Sequence, residues 1–212
     1  KHGEIDKNAW DACVDSSPNR RVYAASWYLD SLHPGWEGLV LEDYRAVFPL
    51  TGARKYGISY LYTPAFVQQL GTYSSSGSPG EFTGAFLAAL PASFRFIDLN
   101  LNAADRMDTA TGKQEKRRNL VLDLSPGYET LERKYAVNLR RNLKLAGKQD
   151  HRLLNTRDTG RLVSLFRADR GRRLGNIGED DYKRFEELMR ESLAGGKGSL
   201  LAAVNGEGEW LA

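Results

Sequence analysis

Apolar positions along this chain repeat at two periods, and the alternation between the periods predicts its elements. In residues 6–15, Trp10 stands three and four places before Cys13 and Val14, which predicts a short amphipathic helix. Ser16-Ser17-Pro18-Asn19 breaks it. A second helix is expected over about residues 24–32, with Trp27, Tyr28 and Leu32 inward and His33-Pro34-Gly35 as its stop. The pattern then becomes strand-like. Residues 38–41 and 44–50 are strands around Glu42-Asp43, and residues 58–62 are a third. Residues 63–78 form a polar, Gly/Ser-rich loop that still carries Phe66, Val67 and Tyr73. Residues 79–90 follow as a helix, Ser78-Pro79 serving as N-cap and first residue. Strands are expected at 94–99 and 119–124, on either side of a turn-rich stretch at 102–113.

The clearest helical pattern covers residues 128–148 and is opened by Ser125-Pro126-Gly127. Tyr128, Leu131, Tyr135, Leu139, Leu143 and Ala146 make its apolar stripe, and cations cover much of the remainder. A short strand (151–155), a helix from Thr159, a basic glycine-rich break (171–178) and a helix at 180–193 come next. Gly195-Gly196 ends that helix. Residues 200–204 are a strand, Asn205-Gly206-Glu207-Gly208 a hairpin turn, and Trp210-Leu211-Ala212 the start of a partner strand. Residues 6–50 and 158–212 thus repeat one pattern: helix, break, helix, strand, tight turn, strand. The second copy reads as the opening of a further domain. The expected division is 1–126, a connecting helix and strand at 127–157, and 158–212.

Composition narrows the classes. Of 212 residues 41% are hydrophobic, which excludes a wholly disordered chain. The longest apolar runs, such as residues 86–90, fall far short of the roughly 18 residues of a membrane span, so no integral membrane association is expected. The single cysteine, Cys13, precludes an internal disulfide and fits a reducing, cytoplasmic setting. His2, His33 and His151 are scattered, so no metal site is expected and no Ser/His/Asp set can be composed.

Charge changes the picture most. The net charge is only +3, yet residues 113–173 hold 17 basic and 7 acidic side chains, a local excess of +10. Such a block suits an anionic partner, or else a solvated face answered by nearby acids. Arg141, Lys144 and Lys148 stand at i, i+3 and i+7 and share one helix face, where a row of cations suits a diphosphate or an RNA backbone. Arg170, Arg172 and Arg173 lie among glycines that permit close approach of an anion. Tyr62, Gln68 and Gln69 suit recognition of a peptide or sugar amide, or a loop packed on its own side chains. Asp98, at a strand end, could orient an amine or serve as a structural carboxylate, and His33, before Pro34, reads as a helix-end residue rather than a base.

Three stretches carry a resemblance: residues 21–29 (RVYAASWYL), residues 62–71 (YTPAFVQQLG) and residues 135–146, with Arg140-Arg141-Asn142-Leu143-Lys144-Leu145-Ala146. With the order of elements, they resemble GNAT-fold acyltransferases of the Fem-type aminoacyltransferase group. The resemblance implies an α/β fold: a GNAT-like mixed central sheet flanked by helices, then the opening elements of a second, incomplete GNAT-like unit. It implies transfer of an acyl or aminoacyl group to an amine of a peptide- or sugar-linked acceptor. The donor would be acetyl-CoA or aminoacyl-tRNA, with no tightly bound cofactor. By the same likeness Arg173 and Tyr182 fall where such enzymes place a substrate-binding Arg and Tyr, although Tyr182 also fits an apolar stripe. The second unit carries no Arg/Gln-x-x-Gly-x-Gly/Ala turn for the donor's phosphates, and this chain alone is expected to be inactive or incomplete; no general base is assigned. The alternative is an RNA-binding module without catalysis, using the same basic block.

Overall fold

A computed structural model of the chain describes residues 1–108, 112–175 and 177–211. Residues 109–111 of the turn-rich stretch, Asn176 of the basic break and Ala212 of the last expected strand lie outside the described residues. The protein is mixed α/β. Its helices are α1 (Lys7–Ser16), α2 (Ser26–Leu32), α3 (Gly80–Ala88), α4 (Tyr128–Arg133), α5 (Val137–Ala146), α6 (Thr159–Ala168) and α7 (Glu179–Ala194). Its strands are β1 (Glu37–Leu41), β2 (Ala46–Leu50), β3 (Gly52–Lys55), β4 (Ile58–Tyr62), β5 (Tyr73–Ser74), β6 (Phe94–Asp98), β7 (His151–Thr156) and β8 (Leu200–Asn205). Among the described residues no helix is long and apolar enough to cross a membrane.

Two compact units form. One comprises Lys1–Gly112 with Asp158–Gly198, the other Lys113–Arg157 with Ser199–Ala212. In the first unit, Asp6 caps α1 by accepting from the Asn8 and Ala9 N–H groups. The start of α2 has no cap of its own. Asp11 on α1 supplies one, accepting from Ser26 N at 2.7 Å and Ser26 Oγ at 2.6 Å. β1, β2 and β5 form an antiparallel sheet in that order. β2 is buried on both faces: Val47 enters a core with Trp10, Leu29 and Trp36, while Ala46, Phe48 and Leu50 enter a second with Leu61 and Phe86.

The second sheet has the order β3-β4-β6, with β3 antiparallel and β6 parallel to β4. The single central sheet expected from the sequence is therefore divided in two. β3 was not expected, because Gly-Ala-Arg-Lys has no apolar alternation. Its signal is the two-residue turn Tyr56-Gly57, both residues at positive φ (52° and 80°), as a tight hairpin requires. Helices α6 and α7 belong to this unit. Leu188 joins the core of Trp10 and Trp36, and Phe185 stacks on Phe66 with ring centroids 4.0 Å apart.

In the second unit β7 and β8 pair antiparallel, from His151 opposite Asn205 to Thr156 opposite Leu200, and Trp210 bridges Val204. Two expectations are corrected here. Residues 119–124 lie in no strand among the described residues, and Leu120, Val121, Leu122 and Leu124 are exposed. The helix expected at 128–148 is two helices separated at residues 134–136. Its stripe is not buried, and helices of this length rely on packing to persist. Arg140 Nη2 donates to the carbonyl of Arg133 at 2.6 Å, satisfying an acceptor at the break.

Candidate functional site

In sheets with parallel strands, the C-terminal strand ends are where the chain turns away and leaves a crevice. Here those ends are Tyr62 on β4 and Asp98 on β6, the last pair in register. Tyr62 is half-buried and Asp98 exposed. The Thr51 hydroxyl donates to the Tyr62 carbonyl, and Thr63 Oγ1 accepts from Asn100 N at 2.8 Å, so both strand exits are tied.

His33 follows α2 and meets Tyr62 edge-on, with ring centroids 5.7 Å apart. Its Nε2 lies 2.9 Å from the carbonyl oxygen of Gly52. A carbonyl only accepts, so Nε2 carries the proton and Nδ1 presents a lone pair when the ring is neutral. Burial pushes the His33 pKa down, the Gly52 bond opposes this, and the Arg184 charge adds to the lowering. Arg184 is fixed by donating to the Leu32 carbonyl at 3.3 Å. Burial, with Tyr60 adding, holds the Tyr62 phenol above its ordinary range. The result is an imidazole of lowered pKa whose Nδ1 has no hydrogen-bond partner among the described residues, a half-buried phenol and a guanidinium held on the Leu32 carbonyl. Such a set can take a proton from an ammonium group and meet a developing oxyanion with positive charge.

The other residues singled out from the sequence are placed variously. Gln68 is exposed, its Oε1 accepting from Tyr23 OH at 3.2 Å, whereas Gln69 is buried. Their loop is held by Tyr28 OH, which donates to the Phe66 carbonyl at 2.7 Å. Arg173 is exposed and pairs with Asp169 at 3.2 Å. Tyr182 is buried, with the Arg167 guanidinium 4.8 Å from its ring centroid. A Cβ on Gly171 would collide with the Tyr182 hydroxyl, so this glycine serves close packing. Arg141 and Lys144 lie on α5 and Lys148 just past its end. All three are exposed, and none makes an ion pair among the described residues.

The structure divides the basic block. In the first unit Arg167 pairs with Glu179 of α7, and the unit as a whole holds 18 basic and 20 acidic side chains, a net of −2. The second unit holds 12 and 7, a net of +5, so the unbalanced charge is the part around α5. Among the described residues no group of His, Cys, Asp or Glu could hold a metal ion. Cys13 is buried, and burial raises its thiol pKa, so it is a poor nucleophile.

No family model, curated protein or solved structure matches the chain. The assignment of chemistry therefore rests on geometry. Of the residues at the strand exits, Arg184 carried no sequence signal: it is one of many charges on an amphipathic helix, and only packing of α7 beside α2 brings it to His33.

Proposed function

We propose that the protein is a GNAT-like acyl- or aminoacyl-transferase acting on the amine of a peptide- or sugar-linked acceptor, with the exits of β4 and β6 as the place of transfer. The observation that carries this reading is His33, its Nε2 2.9 Å from the Gly52 carbonyl and its pKa lowered by burial, beside Tyr62 and Arg184. In the proposed reaction Nδ1 takes a proton from the acceptor ammonium. The amine nitrogen then bonds to the donor's carbonyl carbon, and the oxyanion settles near Arg184. Collapse breaks the donor's C–S or C–O bond, the imidazolium returns its proton to the leaving group, and the acylated nitrogen releases its second proton to solvent to leave the neutral amide. The resemblance points to acetyl-CoA, a thioester, or aminoacyl-tRNA, an oxygen ester, as the donor. The test is native mass spectrometry and turnover with each donor and a nucleotide-linked cell-wall peptide. His33→Gln is expected to lower kcat by about 10²–10⁴-fold with little change in KM. Equal turnover by H33Q would sink the assignment.

A second reading, RNA binding without catalysis, is favoured by one observation: the exposed cations Arg141, Lys144 and Lys148 without ion-pair partners among the described residues. It predicts tRNA affinity that falls steeply with salt. Replacing Arg141 and Lys144 by Glu should abolish that binding while the melting temperature hardly moves. Loss of the fold instead would make the stripe structural.

A further inference from the structure

The first unit contains a second cationic feature, remote in sequence from the basic block. The end of α1, the segment that follows it, the start of α2 and the segment after α7 border an open pocket of about 530 Å3, lined by Asp15, Arg20, Arg21, Val22, Ala25, Trp27 and Lys197. This volume lies in the range of small-molecule sites, roughly 300–1,000 Å3. Its cations are not neutralised. Among the described residues Arg20 Nη1 donates only to the Asp15 carbonyl (3.3 Å) and Arg21 Nη1 only to the Arg20 carbonyl (2.8 Å). The Lys197 ammonium lies 4.4 Å from the centroid of the Trp27 ring. None of the three makes an ion pair among the described residues. With Asp15 the lining carries a net charge of +2.

The backbone under these cations is fixed. Ser17 Oγ accepts from Ser74 N at 3.0 Å, and Asn19 Nδ2 donates to the Thr72 carbonyl and to Asn102 Oδ1, each at 2.9 Å. A tethered loop presents its guanidinium groups without the ordering cost of a free one. Val22, Ala25 and Trp27 supply an apolar wall beside the charge.

We propose that this pocket binds a phosphate monoester with an apolar or aromatic organic group. The dianionic head matches the net charge of +2 and the forked donors of Arg20 and Arg21, and the organic group lies on the apolar wall. The site is separate from the strand exits and stands or falls without the transferase reading.

The experiment is isothermal titration calorimetry of the whole chain at pH 8 with phenyl phosphate, benzoate and inorganic phosphate. At that pH the ester is a dianion. Expected is one saturable site for phenyl phosphate, at least tenfold tighter than benzoate and tighter than inorganic phosphate. Arg21→Gln and Lys197→Met should each weaken it about tenfold or more, while R54Q, on β3 and outside the lining, leaves it unchanged. Two single variants on different segments guard against one that misfolds, and unchanged melting temperatures confirm folding. Absence of saturable binding, equal affinity for benzoate, or binding indifferent to both R21Q and K197M overturns the proposal.

Discussion

Tyr73 buries its whole ring in the main core, yet its hydroxyl has no hydrogen-bond partner among the described residues. An unpaired buried hydroxyl costs about 1–3 kcal/mol of desolvation with nothing returned. Tyr73→Phe keeps the ring and removes that cost. It is expected to leave stability unchanged or raise it by about 1 kcal/mol in thermal denaturation; a loss of that size would mean the hydroxyl has a partner. Two half-buried groups make stability depend on pH with opposite signs. His33 has its pKa lowered on folding, chiefly by burial. As pH falls through the ordinary histidine value the unfolded chain takes up a proton first, so stability is lost. Asp105 has its pKa raised, again chiefly by burial and against bonds from Thr72, Thr83 and Asn102. There the folded state protonates first, so its contribution is present at low pH and lost as pH rises through the folded value. Comparing melting temperatures of wild type and His33→Gln at pH 7.0 and 5.5 separates the two. The wild type should lose more than the variant; equal losses would mean that His33 titrates alike in both states.

Elements were legible in the sequence wherever their own apolar pattern found a core. The spacing of Trp10, Cys13 and Val14 placed α1 within a residue, and the apolar run Ala-Val-Phe-Pro-Leu marked β2, which is buried on both faces. The same pattern misled at 119–124 and across 128–148, because alternation and amphipathicity report what a segment can bury, not whether a partner is there. At the strand exits Tyr62 was legible as a polar aromatic leaving a strand. The bond from His33 to Gly52 spans 19 residues and that from Arg184 to Leu32 spans 152, and no local pattern encodes either. The docking of the loop on α7 can be tested at its stacked pair, Phe66 and Phe185, whose rings are 3° from parallel. A double-mutant cycle with F66A and F185A should give a coupling of about 0.5–1.5 kcal/mol. Additivity within error would mean that the loop and helix do not pack as described.

On the scale of the molecule, stability is distributed unevenly between the two units. All the buried apolar side chains but Ala202 and Val204 belong to the first unit. The second exposes Leu120, Val137, Leu143, Leu153 and Leu201, and the described residues of α4 and α5 include no buried side chain. Burial at about 25 cal/mol per Å2 is the main force opposing local opening, so this unit has little to hold its helices closed. It is also rich in trypsin sites, with 12 of the 30 Lys and Arg residues of the chain. Brief trypsin digestion under native conditions is therefore expected to cut first within residues 113–157, leaving the amides of β1, β2 and α2 protected. Hydrogen exchange measured in parallel should show α4 and α5 exchanging by local opening, and the central strand β2 only on global unfolding. Binding of an anionic partner to α5 would slow both cleavage and exchange there, in proportion to occupancy. If α5 were instead as protected as β2 in the free protein, its exposed stripe would have to be covered by another copy of the chain. The protection would then weaken on dilution, which distinguishes self-association from intrinsic stability.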